Sequence, residues 1–498
     1  MGAMRSGNAE GVAESSEMMD RKQTATAFGW YVLFAAINRV IVPLGMVIFN
    51  RVLGPTTMGV YGLIAAILAM ADLFRDGGLS QTYIADQELT EDRERAYHSL
   101  AVGIGAALGV FVLVLGFWKG DQLNLPPEQR WSLWWICAVL IANGFLTIPA
   151  AKLQREAKFK EVGMAEMGAS RVSLWIAAGW VFRGWGLVGL VWMVIISAAL
   201  NWLLVVRVSG QIRLGGTRSL FGSIIRRSSS VLGSLVVSAP YGFADKLFIS
   251  SRLGLTQLGF FNGAWNIGMK PGELISGPLT KVLYVAYSKR LGDEREFASA
   301  YVRSVSMVCL LVLPVYAVIG VFSGSIIEAL MGSEWARSAW ILTLLTPYYA
   351  ARAVGSLGSV ALTAGGRASA ISYSWIAAYL VAAGMIWMRS ANLDVEWVAL
   401  SLTGGAVTVY ALNTFMAMER YRPAGAEAKN LVISLLLGLS SIGLCLILHS
   451  LKLGVALELV AGFLVVPVLY LVLVGLAHHR KPHVYLSLGG LKRLYRGL

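Results

Sequence analysis

Basic side chains fall inside otherwise apolar stretches at Arg39, Arg75, Arg171, Lys246, Lys270, Lys281, Arg303 and Arg352. A charge at the centre of a membrane helix costs about 2.5 to 3.5 kcal/mol, so such groups must face protein or water. Arg171, Lys281 and Arg303 lie near the ends of their stretches, where a long stem can carry the charge to the interface. Arg39, Arg75, Lys270 and Arg352 lie deeper and, with Lys246, are the candidates for a cationic cavity. Carboxylates accompany them. Asp72, Arg75 and Asp76 stand at i, i+3 and i+4 on one helical face, where the two acids can bracket the guanidinium. The same triad can equally serve to fix one helix against its neighbour. Asp245 and Lys246 are adjacent and diverge by about 100° round a helix, so at least one needs a further partner. In Lys270-Pro271-Gly272-Glu273 the proline removes a backbone bond and the glycine loosens the turn, which sets a kink beside a Lys/Glu pair. A net positive cavity of low dielectric takes an anionic ligand, because guanidinium and ammonium groups grip phosphate oxygens. A phosphate-bearing amphiphile fits this pattern better than a cationic drug or a metal ion. Asp72, Asp76, Asp245 and Glu273 are the candidates for charge pairing or for coupling to a proton or sodium gradient.

The elements that carry these groups are membrane helices. The chain has 498 residues, of which 56% are hydrophobic and 14% charged, and its mean hydropathy is +0.64. Soluble domains carry about 25% charged residues. About fourteen apolar runs between residues 28 and 477 are each long enough to cross a hydrocarbon core of about 30 Å. Lys and Arg concentrate in alternate connections, above all 152–160, 207–227 and 480–496, which predicts that both termini are cytoplasmic. The net charge of +14 therefore reports topology, and nucleic acid is not an expected partner. The first 27 residues form a polar tail without the apolar core of a cleavable signal. Cys137, Cys309 and Cys445 all fall within spans, as small apolar fillers. The connections are too short for a soluble domain, and no GxxxxGK[ST] sequence or His-Glu-x-x-His is present. Neither a cofactor nor catalysis is expected. Sixteen Trp residues suit an aromatic belt at the membrane edges.

The chain also looks duplicated. Leu53-Gly54-Pro55-Thr56-Thr57-Met58-Gly59-Val60-Tyr61 pairs with Leu253-Gly254-Leu255-Thr256-Gln257-Leu258-Gly259-Phe260-Phe261, and Gly77 and Leu79 recur as Gly277 and Leu279. A repeat in the same direction predicts two six-helix lobes about a pseudo-two-fold axis along the membrane normal, with a substrate path at the lobe interface. The expected organisation is a cytoplasmic tail (1–27), an N-lobe (28–206), a basic cytoplasmic linker (207–228), a C-lobe (229–418), two additional helices (419–477) and a basic tail (478–498).

Several successions carry a family resemblance: Arg51-Val52-Leu53-Gly54-Pro55; Asp72-Leu73-Phe74-Arg75-Asp76-Gly77-Gly78-Leu79; Asp245-Lys246-Leu247-Phe248; Tyr287-Ser288-Lys289-Arg290; and Gly332-Ser333-Glu334-Trp335. Over residues 28 to 370 the chain resembles the polysaccharide transporter family of the multidrug, oligosaccharidyl-lipid and polysaccharide exporter superfamily. The resemblance implies a Wzx-like flippase in the bacterial inner membrane that turns an undecaprenyl-diphosphate-linked oligosaccharide from the cytoplasmic to the periplasmic leaflet. Exopolysaccharide, capsule or O-antigen synthesis would be the process, and membrane lipids and a polysaccharide polymerase complex the other partners. Related lipid II flippases use cavity arginines in the first, second and eighth spans, where Arg39, Arg75 and Lys270 stand here. The rival readings are a lipid II flippase and a cation-coupled multidrug exporter of the same superfamily.

Overall fold

The computed structural model describes residues 43–480, apart from 157, 211–212, 239–242 and 422–424. Among the described residues the secondary structure is helical, without strands. This is what a lipid environment selects, because a helix satisfies its own backbone groups. Nine stretches among the described residues are long and apolar enough to cross a membrane. Three helices of 24 residues or more are less apolar: α5 (Phe159–Phe182), α9 (Leu255–Ser288) and α12 (Ala336–Ala364). They carry Glu166 and Arg171, Lys270 and Glu273, and Arg337 and Arg352, so the charged candidates themselves lower the hydropathy of their spans. The chain is an all-α, multi-pass membrane protein.

By contact the chain divides into two compact units, the first containing 43–53 and 60–247, the second 54–59 and 248–480. In the first unit, α1 (43–76) passes through Gly54, whose φ of 70° is left-handed. It ends at Gly77 and Gly78, with φ of 48° and 85°, and α2 (Leu79–Ala85) follows. Two consecutive left-handed glycines thus break the helix here, a conformation other residues adopt only with strain. Thr90 caps α3 (Glu91–Lys119) by accepting from the Arg93 N–H, and Glu91, Asp92 and Glu94 fill its first turn, where carboxylates complement the helix dipole. α3 crosses α4 (Trp131–Arg155) closely. A Cβ on Gly105 would come within 2.8 Å of the Leu140 carbonyl, and one on Gly144 within 2.9 Å of the Ala101 carbonyl. Small residues permit such backbone approach in membranes. α6 (Gly186–Ser209) packs on α5 and α4.

Residues 218–228, expected in a linker, form the first half of α7 (Arg218–Ser238). Leu220, Phe221 and Ile224 lie on one face and pack with Leu79, Tyr83, Tyr97 and Ala151. The linker reading rests on the basic character of 207–228 and on Gly210, Gly215, Gly216 and Ser228, and within α7 the charges Arg218, Arg226 and Arg227 are the polar half of an amphipathic helix. Beside this contact Asp86, 2% exposed, accepts from Arg93 Nε at 3.0 Å, Tyr97 Oη at 3.0 Å, the Glu88 N–H at 3.2 Å and Arg227 Nη1 at 3.4 Å. Burial alone would raise its pKa. The bonds from Glu88, Tyr97 and Arg93 overcome that effect and hold it below the ordinary carboxylate value.

The unit boundary falls within α8 (Ala244–Leu253). In the second unit α9 packs on α12, and α12 on α10 (Glu294–Val321) and α14 (Val395–Tyr421). α11 (Ser323–Met331) precedes α12, and α13 (Ala368–Met388) packs on α14. α15 (Gly425–Ser450) lies on α10 and is followed by α16 (Val455–Val460), a π-helical turn and α17 (Val466–Arg480). Residues 54–59 meet the start of α9 in this unit. Thr56 and Thr256 hydroxyls stand 2.9 Å apart, a Cβ on Gly59 would overlap the Leu255 carbonyl, and one on Gly259 would overlap the Pro55 carbonyl.

Candidate functional site

In the first unit, α1, α4, α5 and α6 enclose a cavity of about 420 Å³ whose polar lining includes Asp72, Asn143, Ser170, Ser197 and Asn201. The deepest charge beside it is Arg75. Its Nε donates to Asp72 at 2.9 Å, and its Nη1 donates to the Asn143 carbonyl at 2.9 Å and to the Thr147 hydroxyl. The Asn143 amide donates to both Asp72 oxygens, at 3.2 and 3.3 Å. The expected bracket of two acids is half present. Asp76 accepts instead from the Ser80 hydroxyl, four residues on. Asn143 and Thr147, one turn apart on α4, complete the coordination of Arg75, and neither was singled out from the sequence.

In the second unit, Lys270 Nζ lies 2.9 Å from Glu273 on the same helix face, as the i, i+3 spacing predicts. Pro271 withholds a backbone donor from α9. One residue later the Gly272 N–H donates to Tyr316 Oη at 2.9 Å, and that hydroxyl donates to the Gly268 carbonyl at 3.1 Å. A phenol from α10 thus bridges two backbone groups one turn apart in α9. Glu273, Ser276, Thr280, Tyr316, Arg352 and Ser356 line a cavity of about 170 Å³. Arg352 Nη1 donates to Tyr348 Oη at 3.3 Å, and no carboxylate among the described residues forms an ion pair with it. Glu273 and Arg352 therefore share a cavity wall, while Arg75 and Lys270 are each tied to an acid.

Arg39 lies outside the described residues. Lys246 has an interaction partner, whereas Asp245 is 7% exposed and neither of its carboxylate oxygens has a hydrogen-bond donor among the described residues. Arg303 is exposed, in keeping with a snorkelling stem. Arg171 is not at a helix end. It stands at the middle of α5, and its Nε and Nη2 are buried without an acceptor among the described residues. The apolar run begins later than the helix, which starts at Phe159, so hydropathy alone placed this guanidinium too near the interface.

The sequence profile of a family described as polysaccharide biosynthesis protein matches residues 48–340. The chain is 22% identical over 356 residues to the lipopolysaccharide biosynthesis protein WzxC of Escherichia coli (strain K12), covering 68% of this chain and 70% of the relative. It is 21% identical over 340 residues to the succinoglycan biosynthesis transport protein ExoT of Rhizobium meliloti (strain 1021), covering 66% of each. Among solved structures, the lipid II flippase MurJ in an inward closed conformation aligns with a TM-score of 0.72 at 12% identity, over 90% of this chain and 99% of that one. An inward-facing multidrug resistance transporter of the MATE family, in the MOP superfamily, aligns with a TM-score of 0.60 at 17% identity, over 79% and 99%. At these identities the two structures speak for the fold, a multi-span helical architecture shared with membrane transporters.

Proposed function

The chain belongs to the polysaccharide biosynthesis protein family, and we propose that it is a flippase moving an undecaprenyl-diphosphate-linked oligosaccharide across the bacterial inner membrane by alternating access. Both termini face the cytoplasm in this reading, as the distribution of Lys and Arg predicts, and the product serves cell-surface polysaccharide synthesis beside a polymerase complex. The observation that carries the reading is Arg352, a guanidinium inside a membrane helix, bordering a cavity and held by a phenol rather than an acid. Retaining such a group is costly, and a diphosphate is the anion that makes use of it through charge-assisted bonds. Arg75 and Lys270 contribute only if their pairs with Asp72 and Glu273 open. A proton or sodium gradient acting on Asp72, Asp76, Asp245 or Glu273 is the proposed drive, and transfer undiminished after both gradients are collapsed removes it.

The test is headgroup transfer in liposomes holding the purified protein and an undecaprenyl-diphosphate-linked glycan. Wild type transfers the headgroup. Arg352→Ala loses at least tenfold in rate at matched incorporation, as expected for a lost charged contact of about 1.5 to 3 kcal/mol, and Arg352→Lys retains part of it. Undiminished transfer by Arg352→Ala removes this residue from the substrate site. No transfer by wild type defeats the flippase reading and moves the multidrug exporter ahead.

A further inference from the structure

The larger cavity has the wrong chemistry for a diphosphate. Its one carboxylate among the described residues, Asp72, is already neutralised by Arg75 and receives two further bonds from Asn143. What remains is a field of neutral donors and acceptors. Ser197 and Asn201 stand one turn apart on α6, facing the space that Ser170 and Ser173 line from α5. The Asn201 amide oxygen is buried and has no donor among the described residues, although buried acceptors are rarely left unmatched. An incoming hydroxyl would satisfy it. Apart from Tyr61 the rest of the wall is apolar, with Met46, Leu68 and Met193. Hydroxyl-matching groups beside apolar surface suit a pyranose ring, which is polar at its rim and apolar on its C–H faces. The volume of about 420 Å³ lies within the range of small-molecule pockets, about 300 to 1,000 Å³.

We propose that this cavity of the first unit is the saccharide subsite, binding sugar of the lipid-linked glycan through Asn201 and Ser197; the inference rests on the flippase reading for the identity of its ligand. Asn201 accepts a sugar hydroxyl, and Ser197 offers a hydroxyl on the same helical face. The Asp72, Arg75 and Asn143 network holds the opposite wall in place.

Native mass spectrometry on the full-length protein in detergent tests the proposal. The probes are undecaprenyl diphosphate carrying one hexose (glucose, galactose or N-acetylglucosamine) and undecaprenyl diphosphate alone. At least one sugar is expected to tighten binding to wild type by about tenfold, the scale of one or two hydrogen bonds. Asn201→Ala and Ser197→Ala should each remove most of that advantage and leave the bare lipid unchanged. Two variants are used so that poor folding of one does not decide the outcome. The proposal is overturned if no sugar improves binding, if both variants keep the advantage, or if both weaken the bare lipid equally. Binding is read without transport. A wild type that prefers the glycosylated lipid but moves no headgroup in liposomes refutes the flippase reading and leaves the sugar subsite standing.

Discussion

Arg75 and Arg171 both stand within long helices, and their surroundings predict opposite mutational outcomes. Arg75 donates to Asp72, Asn143 and Thr147, so Arg75→Ala takes the charged donor from a carboxylate that then keeps the neutral Asn143 amide. A stability loss of about 2 kcal/mol is expected, below the 3 to 5 typical of fully buried pairs because Asp72 is 36% exposed. Among the described residues Arg171 Nε and Nη2 have no acceptor to lose. Arg171→Leu removes a charge whose placement costs about 2.5 to 3.5 kcal/mol, so its melting temperature in detergent should equal or exceed that of wild type. A fall as large as that of Arg75→Ala would show that Arg171 holds structure. The Asp72/Arg75 and Lys270/Glu273 pairs were legible in the sequence because they are local, one turn apart on one helix. Asn143 and Thr147 were not, because they reach Arg75 across 68 and 72 residues. Asp76 does not pair with Arg75 because adjacent residues diverge by about 100° round a helix, and Ser80 supplies it with a donor.

At the scale of elements, α7 shows how a charged segment can be taken for a linker. Arg213, Arg218, Arg226 and Arg227 read as solvated, yet Ile224 is fully buried, Ser228 bonds to Thr82 at 3.2 Å, and the Gly215 N–H donates to the Ser99 hydroxyl at 2.8 Å. Apolar periodicity over 220–224 was present but too short to stand out among charges. Asp86 draws the parts together, accepting from α3 and α7. Its pKa is depressed in the folded protein, so its stabilising contribution is complete above the unfolded carboxylate value of about 3.9 and is lost as pH falls below it toward the folded value. Asp86→Asn should therefore melt several degrees below wild type at pH 7, and the gap should close below about pH 4. Limited proteolysis gives a second readout, with the connection at 210–217 cut faster in Asp86→Asn than in wild type at neutral pH. A gap that persists unchanged to pH 3 would assign the stabilisation to packing rather than to the carboxylate.

At the scale of the whole molecule, the duplicated motif has a physical counterpart. Gly54 and Gly254 are both left-handed, with φ of 70° and 91°, the first within α1 and the second between α8 and α9. The residues just beyond them meet each other. Thr56 pairs with Thr256, Gly59 abuts Leu255 and Gly259 abuts Pro55, so every contact maps onto itself when each position is exchanged for the one 200 residues away. A local two-fold axis between the threonines is the simplest geometry with that property. Glycine is required on both sides because the partner is a backbone carbonyl that cannot move aside, and Gly59→Val and Gly259→Val should therefore be equally damaging. The crossing includes the threonine hydroxyl pair and close backbone contact. If alternating access operates by opening it, a covalent tie will stop the cycle. The Thr56→Cys/Thr256→Cys variant has its side chains where the hydroxyls stand 2.9 Å apart, and a disulfide needs a Cβ separation of about 3.5 to 4.5 Å. Mild oxidation is expected to link the pair, halt headgroup transfer in liposomes and leave it recoverable by a reductant, with each single-cysteine variant active throughout. Full transfer by the cross-linked protein would make the crossing a fixed foundation of the fold and place the moving parts elsewhere.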